Sequence, residues 1–143
     1  MMAAACLEKS FETKEMFSFH APNGALVVDD EPLVRSFLQT VLQKKGFRVF
    51  TASNGQEALR TFQRHLSEIA LVFMDVRMPG MDGPTALAAL KQIDPDVRCC
   101  FITGFSADYS PDQLLQLGAE DVLAKPFNLA KLNAVLGQLF PLA

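Results

Sequence analysis

The segment ALVVDDE, residues 25–31, joins an apolar run to three consecutive carboxylates. The four apolar residues are typical of a buried strand, and Asp29, Asp30 and Glu31 follow at its end. Carboxylates this close repel and raise one another's pKa unless a cation or a positive side chain lies among them. The segment therefore predicts a binding site at the end of a strand.

The same arrangement of a short apolar run, a turn and an amphipathic stretch continues along the chain. Apolar runs predict strands at residues 25–28, 47–52, 69–74, 97–103 and 121–124. A helix is predicted after each strand, with Pro32 at the start of the first and Gly46 at its end, while Asn54-Gly55 indicates a turn. The apolar positions of the five predicted helices are Leu33, Phe37, Leu38, Val41 and Leu42; Ala58, Leu59, Phe62 and Leu66; Leu87, Leu90 and Ile93; Leu114, Leu115 and Leu117; and Leu129, Leu132, Val135, Leu136 and Leu139. Nearly continuous apolar strands alternating with helices indicate an α/β fold with a parallel sheet covered on both faces.

The composition fits one domain. The chain has 143 residues, half of them apolar, which is long enough for one core and short for two. Its 13 Lys and Arg against 16 Asp and Glu give a net charge of -3 without a basic run, so we expect no direct nucleic-acid partner. The apolar runs fall short of the ~20 residues of a membrane span, and the N-terminal segment lacks the apolar core of a secretory signal. We therefore expect a cytoplasmic protein with no membrane partner.

The cysteines do not suggest a disulfide framework. Cys6, Cys99 and Cys100 are odd in number, and the adjacent pair points to opposite faces if it lies in a strand. We interpret them as small apolar residues of a reducing compartment.

Polar residues end four of the predicted strands. Asp29 and Asp30 follow the first strand, Asp75 the third and Lys125 the fifth, and Thr103 ends the fourth. Because parallel sheets bind ligands outside the carboxyl ends of their strands, we expect these side chains to converge. Three carboxylates suit Mg²⁺, which prefers oxygen ligands, and an ammonium with a hydroxyl suits phosphoryl oxygens. The site therefore predicts phosphoryl transfer to a carboxylate.

Four motifs at successive strand ends resemble the receiver domain of bacterial two-component response regulators. They are VVDDE, FMDVRMPGMDG, FITG and AKPF, in that order. The resemblance covers residues 24–140 and implies a flavodoxin-like (βα)5 fold, a doubly wound five-stranded parallel sheet of order 2-1-3-4-5. Residues 1–23 are then an N-terminal extension. We expect a stand-alone receiver without an output domain.

The resemblance also implies a phosphoacceptor and a metal site. Asp75 matches the residue that takes a phosphoryl group from a phosphohistidine on a sensor histidine kinase or a histidine phosphotransfer protein. Asp30 matches a direct ligand of Mg²⁺ (or Mn²⁺), and Asp29 matches a residue that acts through water. The backbone carbonyl of Arg77 completes the implied set.

Two further residues match positions that contact the transferred phosphoryl oxygens in the family. These are Thr103 and Lys125, and the peptide bond between Lys125 and Pro126 matches one that is cis in the family. The implied protein catalyses its own aspartyl phosphorylation and dephosphorylation and signals by binding a downstream effector protein.

Other features of the same segments have simpler interpretations. Glu31 fits a charge at the start of a helix, favoured by the macrodipole, better than a ligand. Gly80, Asp82 and Gly83 fit turn chemistry and receive no catalytic role. Asp75 taken alone could cap the loop or helix that follows it. Its function as an acceptor depends on the other residues of the site.

Three positions depart from or vary within the family pattern. Many receivers have Tyr or Phe three residues before the pocket lysine, and this chain has Val122, whose stiff side chain has no ring to swing. How output is switched is therefore open. Arg77 and Phe105 match positions that tune phosphoryl lifetime, and we expect them to slow hydrolysis of the acyl phosphate.

Three classes of function remain open at this point. The first is a phosphorylated receiver, and the second is a pseudo-receiver that binds proteins without phosphotransfer. The third is a metal-dependent hydrolase or a nucleotide-binding enzyme. The third lacks support because the chain has neither G-x-G-x-x-G nor G-x-x-x-x-G-K-[ST], nor a second aspartate two residues after Asp75.

Overall fold

A computed structural model describes residues 23–104 and 108–140. Over these ranges five strands and five helices alternate, as the apolar runs predict. The strands are β1 (Gly24–Val28), β2 (Arg48–Ala52), β3 (Ile69–Asp75), β4 (Cys99–Thr103) and β5 (Asp121–Ala124). The helices are α1 (Pro32–Lys44), α2 (Gly55–Arg64), α3 (Gly83–Ile93), α4 (Pro111–Gln116) and α5 (Leu129–Leu139). None of the described helices is long and apolar enough to cross a membrane.

The strands form one parallel sheet of order β2-β1-β3-β4-β5. This is the doubly wound, flavodoxin-like order that the resemblance implies, so the predicted fold is confirmed. The interior strand β1 is buried along its whole length, which explains why it is apolar without alternation. All five strands point the same way, so their carboxyl ends meet at one edge of the sheet.

Two apolar clusters, one on each face of the sheet, hold the layers together. Helices α1 and α5 pack on one face, where Leu38 and Leu132 are fully buried. Helices α2, α3 and α4 cover the other face. The adjacent residues Cys99 and Cys100 belong to opposite clusters, and both thiols are free, as predicted. Burial raises the pKa of both thiols, which favours their uncharged form.

Several element boundaries differ from the predicted ones. Helix α2 ends at Arg64 and α4 at Gln116, so Leu66 and Leu117 lie beyond the helices to which they were assigned. Asn54-Gly55 is a helix start instead of a separate turn, because the Asn54 side chain accepts a hydrogen bond from the backbone N–H of Glu57. Strands β2 and β4 begin one and two residues later than predicted.

Some predicted core positions are exposed. Leu33 is 84% exposed and Leu129 50% exposed, although both fit the apolar spacing of their helices. Each lies in the first turn, where a helix begins beyond the carboxyl edge of the sheet and has no strand beneath it. Leu115 is also exposed. Helical spacing therefore predicts the direction of a side chain better than its burial.

Candidate functional site

The predicted site residues meet at the carboxyl edge of the sheet. Asp29 directly follows β1, Asp75 ends β3, Thr103 ends β4 and Lys125 directly follows β5. Strands β1, β3 and β4 are neighbours and β5 is next to β4. The parallel ladders thus bring together residues that are up to about a hundred positions apart in the sequence.

Asp29, Asp30 and Asp75 form an acidic cluster. One carboxylate oxygen from each lies within 4.8 Å of the others. Asp29 and Asp75 are buried and Asp30 is exposed. Asp29 Oδ2 is buried without a hydrogen bond from any described residue, although the ammonium of Lys125 lies 3.2 Å away. Because a buried carboxylate oxygen in this state is costly, the cluster fits a hard divalent cation with oxygen ligands.

The two buried carboxyl groups resist ionisation. Burial and, after it, the charge of Asp29 raise the pKa of Asp75 to about 7 against the opposing effect of Lys125. Burial also raises the pKa of Asp29, although the Glu31 backbone N–H and Lys125 favour its charged form. A cation among these groups would relieve the repulsion, which is the condition that the ALVVDDE segment predicts.

Lys125 contacts three carboxylates at once. Its Nζ atom lies 2.7 Å from Glu31 Oε1, 3.2 Å from Asp29 Oδ2 and 3.6 Å from Asp75 Oδ2. Burial opposes the charge of Lys125, but the contact with Glu31 and the charges of Asp29 and Asp75 outweigh it and raise the lysine pKa. Lys125 therefore stays positively charged at the mouth of the site.

The loop between β3 and α3 is held against Asp75. The backbone N–H of Arg77 approaches Asp75 Oδ1 at 3.4 Å, and the N–H of Gly83 donates to the carbonyl of Val76 at 2.8 Å. A Cβ at Gly83 would lie 2.3 Å from the carbonyl oxygen of Asp75, so only glycine permits this approach. Asp82 caps α3 by accepting a hydrogen bond from the N–H of Thr85. The interpretation of these loop residues as turn chemistry fits this geometry.

Thr103 ends β4 at the same edge of the sheet, and its hydroxyl is only weakly held. The residue is buried, and its Oγ1 lies 3.5 Å from the carbonyl oxygen of Gly104, at the limit of hydrogen bonding. The Lys125–Pro126 bond is cis, as the resemblance implies. Beside the cluster a groove of about 780 Å³ is lined by Asp30, the start of α2 and the loop before α3. A ligand can reach Asp30 from solvent through this groove.

Sequence reasoning missed the contact of Glu31. It placed this residue correctly at the helix start, where Glu31 is the N-cap of α1, but the side chain makes no capping hydrogen bond and pairs with Lys125. The only sequence signal was the third consecutive carboxylate in ALVVDDE. Val122, at the position of the missing aromatic residue, is half-buried against the cluster formed with α2, α3 and α4. Phe105 and residues 1–22 of the N-terminal extension lie outside the described residues, so the predictions about them stay predictions.

Comparison with known proteins agrees with the fold. The chain is 38% identical over 103 residues to the chemotaxis protein CheY of Bacillus subtilis, covering 71% of this chain and 84% of that protein. It is 32% identical over 117 residues to sporulation initiation phosphotransferase F of the same organism, covering 82% of this chain and 93% of that protein. A crystal structure of a CheX-CheY-BeF3-Mg²⁺ complex from Borrelia burgdorferi matches with a TM-score of 0.78 and 28% identity, covering 87% of this chain and 93% of that chain.

The matches also include segments of longer proteins. The chain spans 48% of the length of one curated relative and 12% of another. The response regulator receiver domain family matches residues 25–137, which include the five strands and five helices except for Gly24 at the start of β1 and the last two residues of α5. The motifs, the strand order and the acidic edge all agree with that match, and the chain belongs to the receiver domain family of two-component response regulators.

Proposed function

We propose that this receiver takes a phosphoryl group onto Asp75, with Mg²⁺ bound, from a phosphohistidine of a sensor histidine kinase or a histidine phosphotransfer protein. The observation that carries the proposal is the position of Asp75. Its carboxylate belongs to the acidic cluster with Asp29 and Asp30 and also lies 3.6 Å from the Lys125 ammonium. An acceptor that has a cation site on one side and a charged ammonium on the other suits a phosphoryl group, whose negative charge must be neutralised.

The proposed transfer is a displacement at phosphorus. An oxygen of the ionised Asp75 attacks the phosphorus atom, an O–P bond forms, and the P–N bond to the histidine breaks with its electron pair going to the imidazole nitrogen. Lys125 and the hydroxyl of Thr103 donate to the phosphoryl oxygens, since both lie at the same edge of the sheet. Water later attacks the phosphorus atom, the bond between the Asp75 oxygen and phosphorus breaks, and inorganic phosphate departs, which leaves Asp75 as a free carboxylate.

The acidic residues that would hold Mg²⁺ are Asp29, Asp30 and Asp75, with the backbone carbonyl of Arg77. Support comes from the buried Asp29 Oδ2, which no described residue hydrogen-bonds, and from the BeF3 and Mg²⁺ of the similar Borrelia complex. When bound, Mg²⁺ neutralises part of the charge that accumulates on the phosphoryl oxygens. Mn²⁺ is an expected substitute, because it prefers the same ligands.

We further propose that residues 24–140 act as one receiver unit that signals by binding a downstream effector protein. The CheX-CheY complex offers a precedent for binding between a similar receiver and another protein. The identity of the kinase and of the effector is left to interaction experiments with the phosphorylated protein.

The first experiment is intact-protein mass spectrometry after incubation with acetyl phosphate and Mg²⁺. We expect the mass of one added phosphoryl group. We expect no such addition when EDTA is present during the incubation, and none in Asp75→Asn. Asp112→Asn is the matched control, because Asp112 is an exposed aspartate of α4 outside the cluster, and it should retain the adduct. Where no adduct persists, binding of BeF3⁻ with Mg²⁺ is measured in its place. Failure of the wild type in both assays would contradict the proposed function.

A further inference from the structure

Glu31 uses its side chain in an unusual way for an N-cap residue. Residues at this position usually accept a hydrogen bond from the first turn of the helix, and Glu31 does not. Its backbone N–H instead donates to Asp29 Oδ1 at 2.9 Å, which fixes the residue against the acidic cluster. The side chain then reaches across to Lys125, 94 residues further along the chain. The contact joins the loop after β1 to the loop after β5.

Lys125 lies closest to the most exposed of its three carboxylate partners. The side chain of Glu31 is 59% exposed, whereas those of Asp29 and Asp75 are buried. The ammonium is 2.7 Å from Glu31 and 3.6 Å from Asp75, so it lies at the mouth of the site. The oxygens of a phosphoryl group on Asp75 would compete with Glu31 for this ammonium. Lys125 must therefore exchange Glu31 for the phosphoryl oxygens.

We propose that Glu31 is a positioning residue that holds Lys125 at the mouth of the site in the unphosphorylated protein. The inference rests on the proposed function and deepens it. Because Lys125 competes with a metal ion for Asp29 and Asp75, drawing it outward leaves these carboxylates to Mg²⁺. The same contact weakens phosphoryl binding, since Lys125 must leave Glu31 first. Glu31 thus favours the metal-bound state that is ready for transfer and shortens the phosphorylated state that follows.

The two affinities should change in opposite directions in Glu31→Gln. We expect Mg²⁺ to bind about two- to fivefold more weakly and BeF3⁻, at saturating Mg²⁺, about two- to fivefold more tightly, the range set by a partly exposed ion pair. Isothermal titration calorimetry measures the first affinity and fluorine NMR the second. A merely structural role of Glu31 would weaken both ligands together.

Glu31→Asp separates the effect of the contact with Lys125 from the effect of the negative charge at position 31. Aspartate keeps the negative charge but is one methylene shorter, and as a favoured N-cap it turns its side chain to the helix. We expect Glu31→Asp to follow Glu31→Gln in both affinities while its melting temperature stays at or above that of the wild type. Glu120→Gln is the control for net charge, since Glu120 pairs with Arg98 outside the site, and both affinities should stay within twofold.

The outcomes separate this inference from the proposed function. A wild type that binds neither Mg²⁺ nor BeF3⁻ would contradict the proposed function itself. A wild type that binds both, with Glu31→Gln unchanged, would overturn the role of Glu31 alone. Glu31→Gln could shift both affinities while Glu31→Asp behaves as the wild type. The effect would then come from the negative charge at position 31 and not from its contact with Lys125, and the positioning role would be refuted.

Discussion

Replacing Asp75 by asparagine should stabilise the metal-free protein at alkaline pH. Burial and the charge of Asp29 raise the pKa of Asp75 from 3.8 to about 7. An acid with a raised pKa in the folded state lowers the free energy of unfolding as pH rises from its unfolded pKa through its folded one. Asparagine has nearly the same shape without the charge. The substitution therefore removes a destabilising ionisation.

The size of the effect follows from the pKa. Ionising Asp75 in the folded protein at pH 8 costs about 4 kcal/mol relative to the unfolded chain. Lys125 loses one of its partners in Asp75→Asn, so we expect a net gain of about 2 kcal/mol in the free energy of unfolding. For a domain of this size, such a gain corresponds to an increase of about 6–10 °C in melting temperature.

Thermal unfolding in EDTA, followed by far-UV circular dichroism at pH 8 and pH 5, tests the prediction. At pH 5 Asp75 is already protonated in the folded state, so the gain should shrink by more than half. Glu120→Gln is the control: Arg98 lowers the pKa of Glu120, so loss of this charge should not raise the melting temperature. An Asp75→Asn protein that melts at or below the wild-type temperature at pH 8, or whose gain is equal at both pH values, would refute the reasoning.

Two further predictions concern the walls of the site. Thr103→Val should bind BeF3⁻ about tenfold more weakly in fluorine NMR, because a hydrogen bond to a charged group is worth about 1.5–3 kcal/mol. Its affinity for Mg²⁺ should stay within twofold of the wild type. An equal loss of both affinities would contradict a phosphoryl-contacting role of Thr103. Gly83→Ala should lower the free energy of unfolding by about 2 kcal/mol or more in urea titrations and also weaken Mg²⁺ binding, since the new Cβ meets the Asp75 carbonyl oxygen at 2.3 Å. Gly137→Ala, in the exposed last turn of α5 with no neighbouring atom within 4 Å of the added Cβ, should instead raise the free energy of unfolding by up to ~1 kcal/mol. A similar loss in both variants would exclude the proposed clash.

The sequence predicted the elements and the edge at which the site lies because β1, β3 and β4 are buried, mostly apolar runs with a polar residue at or directly after their ends. Asp75 and Thr103 end such runs, and Lys125 directly follows β5. Parallel pairing places these ends at one edge whatever the order of the strands. The order itself came from the family resemblance, since apolar strands buried on both faces carry no pattern that distinguishes their neighbours.

Contacts between distant loops could not be predicted. The pair of Glu31 and Lys125 depends on the backbone N–H of Glu31 bonding to Asp29, which redirects the side chain from the helix to the site. The sequence rules for helix starts correctly place Glu31 at the start of α1. They do not predict that its side chain points to Lys125. The exposure of Leu33 has a similar cause, because its spacing fits a buried face while the first turn of α1 extends past the sheet.

The acidic edge and the two apolar clusters depend on each other. Asp29 and Asp75 are buried with raised pKa values, and such groups persist only where the surrounding structure fixes them. Here β1 and β3 are paired along their length and covered on both faces, so the backbone beneath the carboxylates has little freedom to move them apart. The rigid sheet keeps the repulsion in place, and a metal ion or a shift of Lys125 can then relieve it. Part of the free energy of ligand binding at this edge therefore comes from relief of the repulsion between Asp29 and Asp75, which the folded protein maintains in the absence of ligand.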